Sequence, residues 1–408
     1  MARFDLMLLR HTRDAARRQL PEKASVPSYS VHLDAARSLA ALAVFIGHGT
    51  FVFLGTTIHE QVNSKLNRPA TAVASYNPAA HTHLGHQAVI IFFILSGYLV
   101  GGGALRAMRQ GVWSTKAYLL QRCTRLWVVL IPSLLLTVLL NLAASHWLHQ
   151  PAHIYSNLST FGHVGTWISM QPHPGAYIFA GNLFFLQGIL VPVINSNAPL
   201  WSLSYEFWYY LMFPLLLVGL MSSSSLIHRA GAIVVLVTML LACGAEISLY
   251  FLIWIMGVLV YCIPVKIPPT HVHWIAPLSC ALFAVFNLYA VVFPYNLVAS
   301  DFTTGVLFSI TLWLLLHFRQ PARDSLYRDL SKGLSAMSYT LYTVHYPVIM
   351  FVGAWLGSKS IHPHFSVQAV GILLAVYAVT FLLAWLFYRC FEANTGRVRR
   401  FLAVRIGV

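Results

Sequence analysis

Apolar runs of about 20 residues recur along almost the whole chain, and a run of that length matches the hydrocarbon thickness of a bilayer. Hydrophobic residues make up 58% of the 408 residues and charged residues only 9%, whereas a typical soluble domain carries about 25% charged residues. The alternating segments that mark a membrane barrel are missing from the sequence. The sequence therefore predicts an all-α integral membrane protein.

The apolar runs predict a bundle of about ten transmembrane helices. The predicted spans are 33–54, 87–104, 118–143, 203–220, 230–247, 248–264, 274–296, 303–318, 335–356 and 367–390. One further apolar stretch, 177–194, is predicted to be re-entrant or interfacial, because another crossing would put the two basic termini on opposite sides of the membrane. Irregular backbone at membrane depth is tolerated where protein or water covers it.

Basic residues cluster in short segments beside the apolar runs and give the chain a net charge of +15. The clusters are Arg3, Arg10, Arg13, Arg17, Arg18 and Lys23; Arg106, Arg109 and Lys116; Arg319, Arg323, Arg328 and Lys332; and Arg389, Arg397, Arg399, Arg400 and Arg405. Such clustering marks the cytoplasmic side and favours an anionic leaflet, so no nucleic-acid partner is expected. We predict a cytoplasmic tail at 1–30, a transmembrane domain at 31–391 and a basic cytoplasmic tail at 392–408.

Arg37 and His48 lie eleven residues apart in the first predicted span, which is about 16 Å of helical rise and almost three turns. Both side chains therefore leave the same face, as a permanent cation and an imidazole that titrates near neutral pH. Ionisable groups in a membrane helix usually face a protein interior or a wet cavity. Two structural alternatives stay open: Arg37 extends to water or pairs with Asp34, and His48 bonds a backbone carbonyl.

Two motifs at the cytoplasmic ends of spans 2 and 3 suit a phosphate-bearing ligand. Ser96 and Gly97 permit close helix packing, and Gly101–Gly103 form either a helix terminus or backbone that approaches a phosphate. Arg122 and Arg125 share a helix face and offer two planar guanidinium groups, although an ordinary positive-inside flank has the same composition.

Span 4 begins near Trp201 and Ser202 and carries Glu206 just inside its apolar run. The aromatic residues around this point fit an interfacial belt. The carboxylate of Glu206 either complements the helix N-terminus or pairs with His48, which the predicted topology puts on the same side. His345, in span 9, is a second intramembrane ionisable group, and packing and function are both open for it.

Three histidines, His81, His83 and His86, cluster in a predicted outer loop. No metal site is predicted there, because a zinc site of this kind normally includes a nearby carboxylate or cysteine ligand.

Taken together, these motifs resemble the acyltransferase-3 family of membrane acyltransferases over about residues 30–391. The matching motifs are Arg37-x10-His48, Phe93-x2-Ser96-Gly97, Arg122-x2-Arg125, Trp201-Ser-Leu-x2-Glu206 and Ser338-Tyr-x-Leu-Tyr-x2-His345-x-Pro347. One departure is Phe207-Trp208, where many relatives carry a second Glu followed by Gln. This departure weakens any scheme that needs two carboxylates.

The resemblance implies an enzyme of a bacterial inner membrane that moves an acyl group, expected to be acetyl, from cytoplasmic acyl-CoA to a hydroxyl of an exported or cell-surface glycan or glycolipid. No permanently bound cofactor is expected. His48 is the expected general base or acylated group, and Glu206 is its orienting or acceptor-binding partner. The expected acyl-CoA site comprises Arg37, Arg122, Arg125, Ser96 and Gly97, with Asp34, Trp201, Ser202 and His345 in support.

A transporter of a glycolipid or an anionic solute is the alternative, with Arg37, His48 and Glu206 as a substrate or proton path. The sequence shows no clear inverted repeat of the kind many transporters contain. The arginine pair also lies at the membrane edge where a CoA phosphate would lie. These two observations favour the enzyme, and the oligomeric state does not follow from the sequence.

Overall fold

The computed structural model describes residues 27–65, 83–148, 175–221, 223–264, 266–292, 297–318, 324–358 and 367–407. Its helices, numbered here in chain order, form one all-α bundle. They are α1 (Ser28–Lys65), α2 (His83–Ser96), α3 (Gly102–Arg109), α4 (Thr115–Trp147), α5 (Ala176–Leu183), α6 (Trp201–Met221), α7 (Leu226–Cys262), α8 (Pro269–Val292), α9 (Leu297–Leu315), α10 (Leu326–Ala336), α11 (Ser338–Ser358), α12 (Val367–Cys390) and α13 (Thr395–Ile406).

Within the described residues, eight helical segments are long and apolar enough to cross a membrane. One of them, α7, folds back at Gly244, where φ is +86°. The Ser248 hydroxyl donates to the Leu240 carbonyl at 2.8 Å, although residues eight apart in a straight helix are separated by about 12 Å. The two arms of α7 correspond to the predicted spans 230–247 and 248–264, with the turn a few residues earlier.

Helix α11 is not one of these eight segments, and its polar side chains face the bundle interior. Thr340, Thr343 and His345 are completely buried, and the helix packs against α1, α4 and α12. Its 21 residues rise by about 31 Å, enough to cross a bilayer core. Eight segments meet the length and hydropathy requirement. Counting the two arms of α7 separately and adding α11 gives ten helical segments of membrane-spanning length, the number that the sequence predicts.

The stretch predicted to be re-entrant or interfacial does not form a spanning helix. Its helix α5 has only eight residues, which is about 12 Å of rise, and irregular backbone and a 3-10 turn then lead into α6. Buried side chains satisfy carbonyl groups of this backbone: the Gln187 amide donates to Leu200 O at 2.9 Å, and the Asn182 amide donates to Pro192 O at 3.0 Å. The protein therefore satisfies these backbone carbonyls itself, which is the condition for irregular backbone at membrane depth.

The glycines after Ser96 pack helices together and do not end one. A π-helical turn, Gly97–Gly101, joins α2 to α3 without a break, so the expected helix terminus or phosphate loop at the triple glycine is wrong. A Cβ on Gly97 would lie 2.0 Å from the Trp254 carbonyl oxygen. On the facing arm of α7, a Cβ on Gly257 would lie 2.0 Å from Ile94 O. The two backbones are therefore in direct contact.

Replacing Gly97 with alanine is expected to destabilise the bundle, because the added methyl group meets backbone that cannot rotate away. Overpacking of this kind typically costs about 1–3 kcal/mol. Gly103→Ala is the matched control, since a Cβ at that position would have nothing within 4 Å. Thermal unfolding in detergent should separate the two variants, and equal stability of both would contradict the close contact.

The described basic segments meet at one end of the bundle, called the basic end below. Arg106 on α3 donates to the Tyr261 hydroxyl at the end of α7, at 2.9 Å. The Ser335 hydroxyl on α10 donates to Asp34 near the start of α1, at 2.8 Å. The N-terminal basic cluster, together with Arg319 and Arg323, lies outside the described residues. The common position of the others is the distribution that a positive-inside protein requires.

His86 lies within α2 and not in a loop, which corrects the sequence expectation. It is buried, and its Nε2 atom lies 2.7 Å from the Asp301 carboxylate on α9. The Tyr250 hydroxyl also bonds Asp301, so the carboxylate ties α2, α7 and α9 together. His83 is the first residue of α2 as well, and His81 lies outside the described residues.

Candidate active site

A cavity of about 570 Å³ opens at the basic end of the bundle. Its outer part is lined by the cations Lys332 of α10 and Arg399 of α13, and both side chains are exposed. Its inner part is lined by apolar and aromatic side chains, including Val89, Phe92 and Tyr342. The cavity therefore has a charged mouth and a mainly apolar inner end.

Two arginines in this cavity lack a carboxylate partner within the described chain. Arg37 and Arg122 both line the cavity, and neither forms an ion pair with a described residue. The Arg122 guanidinium lies 5.8 Å from the ring centres of Tyr118 and Tyr210, within the range of a cation–π contact. Its Nε atom is buried and has no hydrogen-bond partner in the described chain. These features suit the binding of an anion.

Arg125 shares the helix face with Arg122 but has a different electrostatic environment. It forms an ion pair with Glu392, whose side chain is only 2% exposed. Glu392 also accepts hydrogen bonds from the backbone N–H of Thr340 at 3.0 Å and from its hydroxyl at 2.5 Å. The carboxylate thus neutralises Arg125 and caps the first turn of α11. The main role of Arg125 is therefore structural, because its ion pair with Glu392 compensates most of the positive charge that it would add to the cavity.

Glu206 lies in the cavity wall beside these arginines, and its carboxylate accepts a hydrogen bond from Tyr210. The sequence expected Glu206 to orient His48 or to bind the acceptor, and the structure places His345 against the His48 ring, with 2.9 Å between their nitrogen atoms. Asp34 lines the cavity as well and accepts the Ser335 hydroxyl. No ion pair joins Asp34 to Arg37 in the described structure, so the proposed local pairing is absent.

The small polar residues of the predicted site occupy different positions. Ser96 lines the cavity and accepts the Trp254 indole N–H at 3.1 Å. Ser202 lines it too and bonds the Tyr342 hydroxyl at 2.6 Å. Gly97 is not among the described lining residues, because its backbone contacts Trp254. Trp201 is buried and stacks on His86, with ring centres 5.7 Å apart.

His48 and His345 form an imidazole pair beyond the inner end of the cavity. The His48 Nδ1 and His345 Nε2 atoms are 2.9 Å apart, and the rings are stacked with an interplanar angle of 11°. His345 Nδ1 lies 2.9 Å from the Leu341 carbonyl oxygen. Since a carbonyl only accepts, His345 carries its proton on Nδ1 and, when neutral, accepts at Nε2. His48 then donates from Nδ1, which puts its lone pair on Nε2.

Along α11, His345 lies less than one helical turn beyond the inner end of the cavity. Tyr342 lines the cavity and precedes His345 by three residues on α11, and its ring packs edge-on against Phe92 at 6.0 Å. Gly85 lies on the other side of His48, where a Cβ would be 3.9 Å from Nε2. A glycine at this position adds no side chain next to the basic nitrogen. The imidazole pair therefore lies next to the inner end of the cavity, although neither His48 nor His345 is among its described lining residues.

Sequence reasoning missed the contribution of the C-terminal segment. Glu392 is buried in the bundle, and Thr395 and Arg399 line the cavity, although this segment was predicted to be a basic tail. Its one sequence signal was an acidic residue among arginines, directly after an apolar span. Lys332 was seen only as part of a basic flank. Contacts between distant helices create both roles, and local spacing does not report them.

The fold and the site define a class: a polytopic helical membrane protein with an intramembrane imidazole pair above a cavity lined by arginines. The sequence matches the acyltransferase-3 family, described as an acyltransferase domain, over residues 31–389. The chain therefore belongs to this family and is a membrane acyltransferase. Comparisons with curated proteins and with solved structures gave no match.

Proposed function

We propose that this protein transfers an acetyl group from cytoplasmic acetyl-CoA to a hydroxyl of an exported or cell-surface glycan or glycolipid. One observation carries the proposal: Arg37 and Arg122 face a cavity without carboxylate partners in the described chain, and the His48–His345 pair lies just beyond its inner end. The arrangement suits a donor with a charged end and a narrow reactive end. Acyl-CoA has this form, since its phosphates are remote from its thioester.

The donor enters from the basic end, which the positive-inside rule assigns to the cytoplasm of a bacterial inner membrane. Both termini then lie in the cytoplasm. The CoA phosphates bind near Arg37 and Arg122, because planar guanidinium groups give phosphates two parallel hydrogen bonds. The pantetheine arm passes Phe92 and Tyr342, and the thioester reaches His48. The acceptor hydroxyl approaches from the opposite side of the membrane.

His48 Nε2 acts as the general base. It removes the proton from the acceptor hydroxyl as the oxygen attacks the thioester carbonyl, so that a C–O bond forms. The C–S bond then breaks, and the imidazolium returns its proton to the departing sulfur, which leaves as the free thiol of CoA. His345 holds the His48 ring in the tautomer that has its lone pair on Nε2.

The direct test uses purified protein in proteoliposomes with acetyl-CoA that is radiolabelled on the acetyl group. The proposal expects label to move to a glycan or glycolipid acceptor and free CoA to appear in equal amount. A transporter would instead move solute across the vesicle without breaking the thioester. Mass spectrometry of surface glycans from cells with and without the gene identifies the acceptor and acyl group, and unchanged glycans would contradict the proposal.

Arg122→Gln is expected to raise the KM for acetyl-CoA by about tenfold or more, because it removes a charge-assisted phosphate contact worth about 1.5–3 kcal/mol. The fold should survive, since Arg122 has no carboxylate partner in the described chain. Acceptor KM should change little. Arg109→Gln, at the basic end but outside the described cavity lining, is the control. If the acceptor KM rose and the donor KM did not, Arg122 would not bind the donor.

A further inference from the structure

The identity of the donor can be narrowed further, on the condition that the proposed function holds. We infer that Lys332 and Arg399 form a second anion subsite at the cavity mouth, which recognises the 3′-phosphate on the ribose of CoA. The subsite would select the complete coenzyme over donors that carry the same thioester arm without that phosphate. It is separate from the arginines deeper in the cavity.

The two cations come from separate helices that converge on the same opening. Lys332 and Ser335 lie three residues apart on α10, and both line the cavity; such a pair shares a helix face. Thr395 and Arg399 lie four residues apart on α13, and they also line it. The hydroxyl protons of Ser335 and Thr395 are already donated within the protein, so each helix presents one cation to the mouth. A phosphate is the common ligand of two such cations, because it accepts charge-assisted hydrogen bonds from both of them.

Neither cation is neutralised within the described chain. The described ion pairs at the basic end are Arg125 with Glu392 and Arg328 with Asp324, and neither includes Lys332 or Arg399. The mouth therefore adds two positive charges to those of Arg37 and Arg122. A ligand with phosphates in two places matches this division of charge into an inner and an outer site.

The chemistry of CoA assigns one phosphate group to each site. Its pyrophosphate joins the pantetheine arm directly and so follows the thioester into the cavity, toward Arg37 and Arg122. Its ribose 3′-phosphate lies at the far end of the molecule from the thioester. With the thioester beside His48, that phosphate is the group left at the mouth, where Lys332 and Arg399 lie.

The test compares acetyl-CoA with acetyl-3′-dephospho-CoA as donors for the full-length protein in proteoliposomes. The wild-type protein should prefer acetyl-CoA by about tenfold or more in kcat/KM, which corresponds to about 1.4 kcal/mol. In the Lys332→Gln/Arg399→Gln double variant the preference should fall to within about twofold. Only the acetyl-CoA value should drop, while the value for the dephosphorylated donor stays at the wild-type level.

Arg400→Gln is the matched control, because Arg400 neighbours Arg399 on α13 but is not among the described lining residues; it should keep the full preference. A preference that survives in the double variant would overturn the subsite. Equal use of both donors by the wild-type protein would overturn it as well, while leaving the proposed acyl-CoA function intact. Use of neither donor would overturn the proposed function and the subsite together.

Discussion

His48→Gln is expected to lower acetyl transfer by about 10²–10⁴-fold, the usual contribution of a positioned general base. Glutamine keeps a polar side chain of similar reach but has no nitrogen that accepts a proton near neutral pH. Acetyl-CoA affinity should stay at the wild-type value, because His48 lies beyond the described cavity lining. The measurement is the initial rate of label transfer by purified protein, alongside equilibrium binding of acetyl-CoA.

His345 provides the matched control for ring orientation. In His345→Gln the amide oxygen can occupy the place of Nε2 and accept the hydrogen bond from His48 Nδ1. The transfer rate of this variant should therefore be higher than that of His345→Leu. His345→Asn places its amide nearer to the former Nδ1 position and should not restore activity. A His48→Gln enzyme with wild-type transfer, or equal activity in the three His345 variants, would contradict these roles.

Glu392→Ala is expected to lower the free energy of unfolding by about 2–4 kcal/mol, because it leaves partners of a buried carboxylate unsatisfied. The lost interactions are the ion pair with Arg125 and the two hydrogen bonds from Thr340. Since α11 carries His345 less than two turns further on, transfer activity should fall as well. Unfolding in mixed detergent micelles measures the stability change.

Asp324→Ala is the control for an ion pair without burial. Asp324 pairs with Arg328 on α10, but its side chain is 93% exposed, and exposed pairs of this kind contribute less than about 1 kcal/mol. Its removal should leave both stability and activity close to wild type. If the Glu392 and Asp324 variants were equally stable, the C-terminal carboxylate would not hold the bundle together.

Much of the fold could be predicted from the sequence, because a bilayer imposes length and polarity limits on every crossing. The ten membrane-length helical segments follow from the lengths of the apolar runs. The non-crossing segment near 177–194 follows from the distribution of basic residues. Helix ends were harder to place. The reversal at Gly244 lies inside a continuous apolar run. The expected terminus at Gly101–Gly103 continues as helix, and Gly101 and Gly102 pack on side chains of α7.

The site was predictable where one helix carries the information. Eleven residues between Arg37 and His48 fix a shared face, and Arg122 follows from its position at the start of a span. Roles that depend on two distant helices were not predictable. Neither the contact of His48 with His345 nor the pairing of Arg125 with Glu392 leaves a local spacing signal, since 297 and 267 residues separate the partners.

The most direct test of the account is a structure of this protein with a non-transferable acetyl-CoA analogue bound. The account predicts the nucleotide among the cations at the basic end. It also predicts that the analogue's carbonyl carbon lies about 3.5 Å from the position of an acceptor oxygen bonded to His48 Nε2, which is the separation of reacting atoms in a productive complex. An analogue bound outside the bundle, or an imidazole of His48 that faces lipid with no path from the cavity, would contradict it.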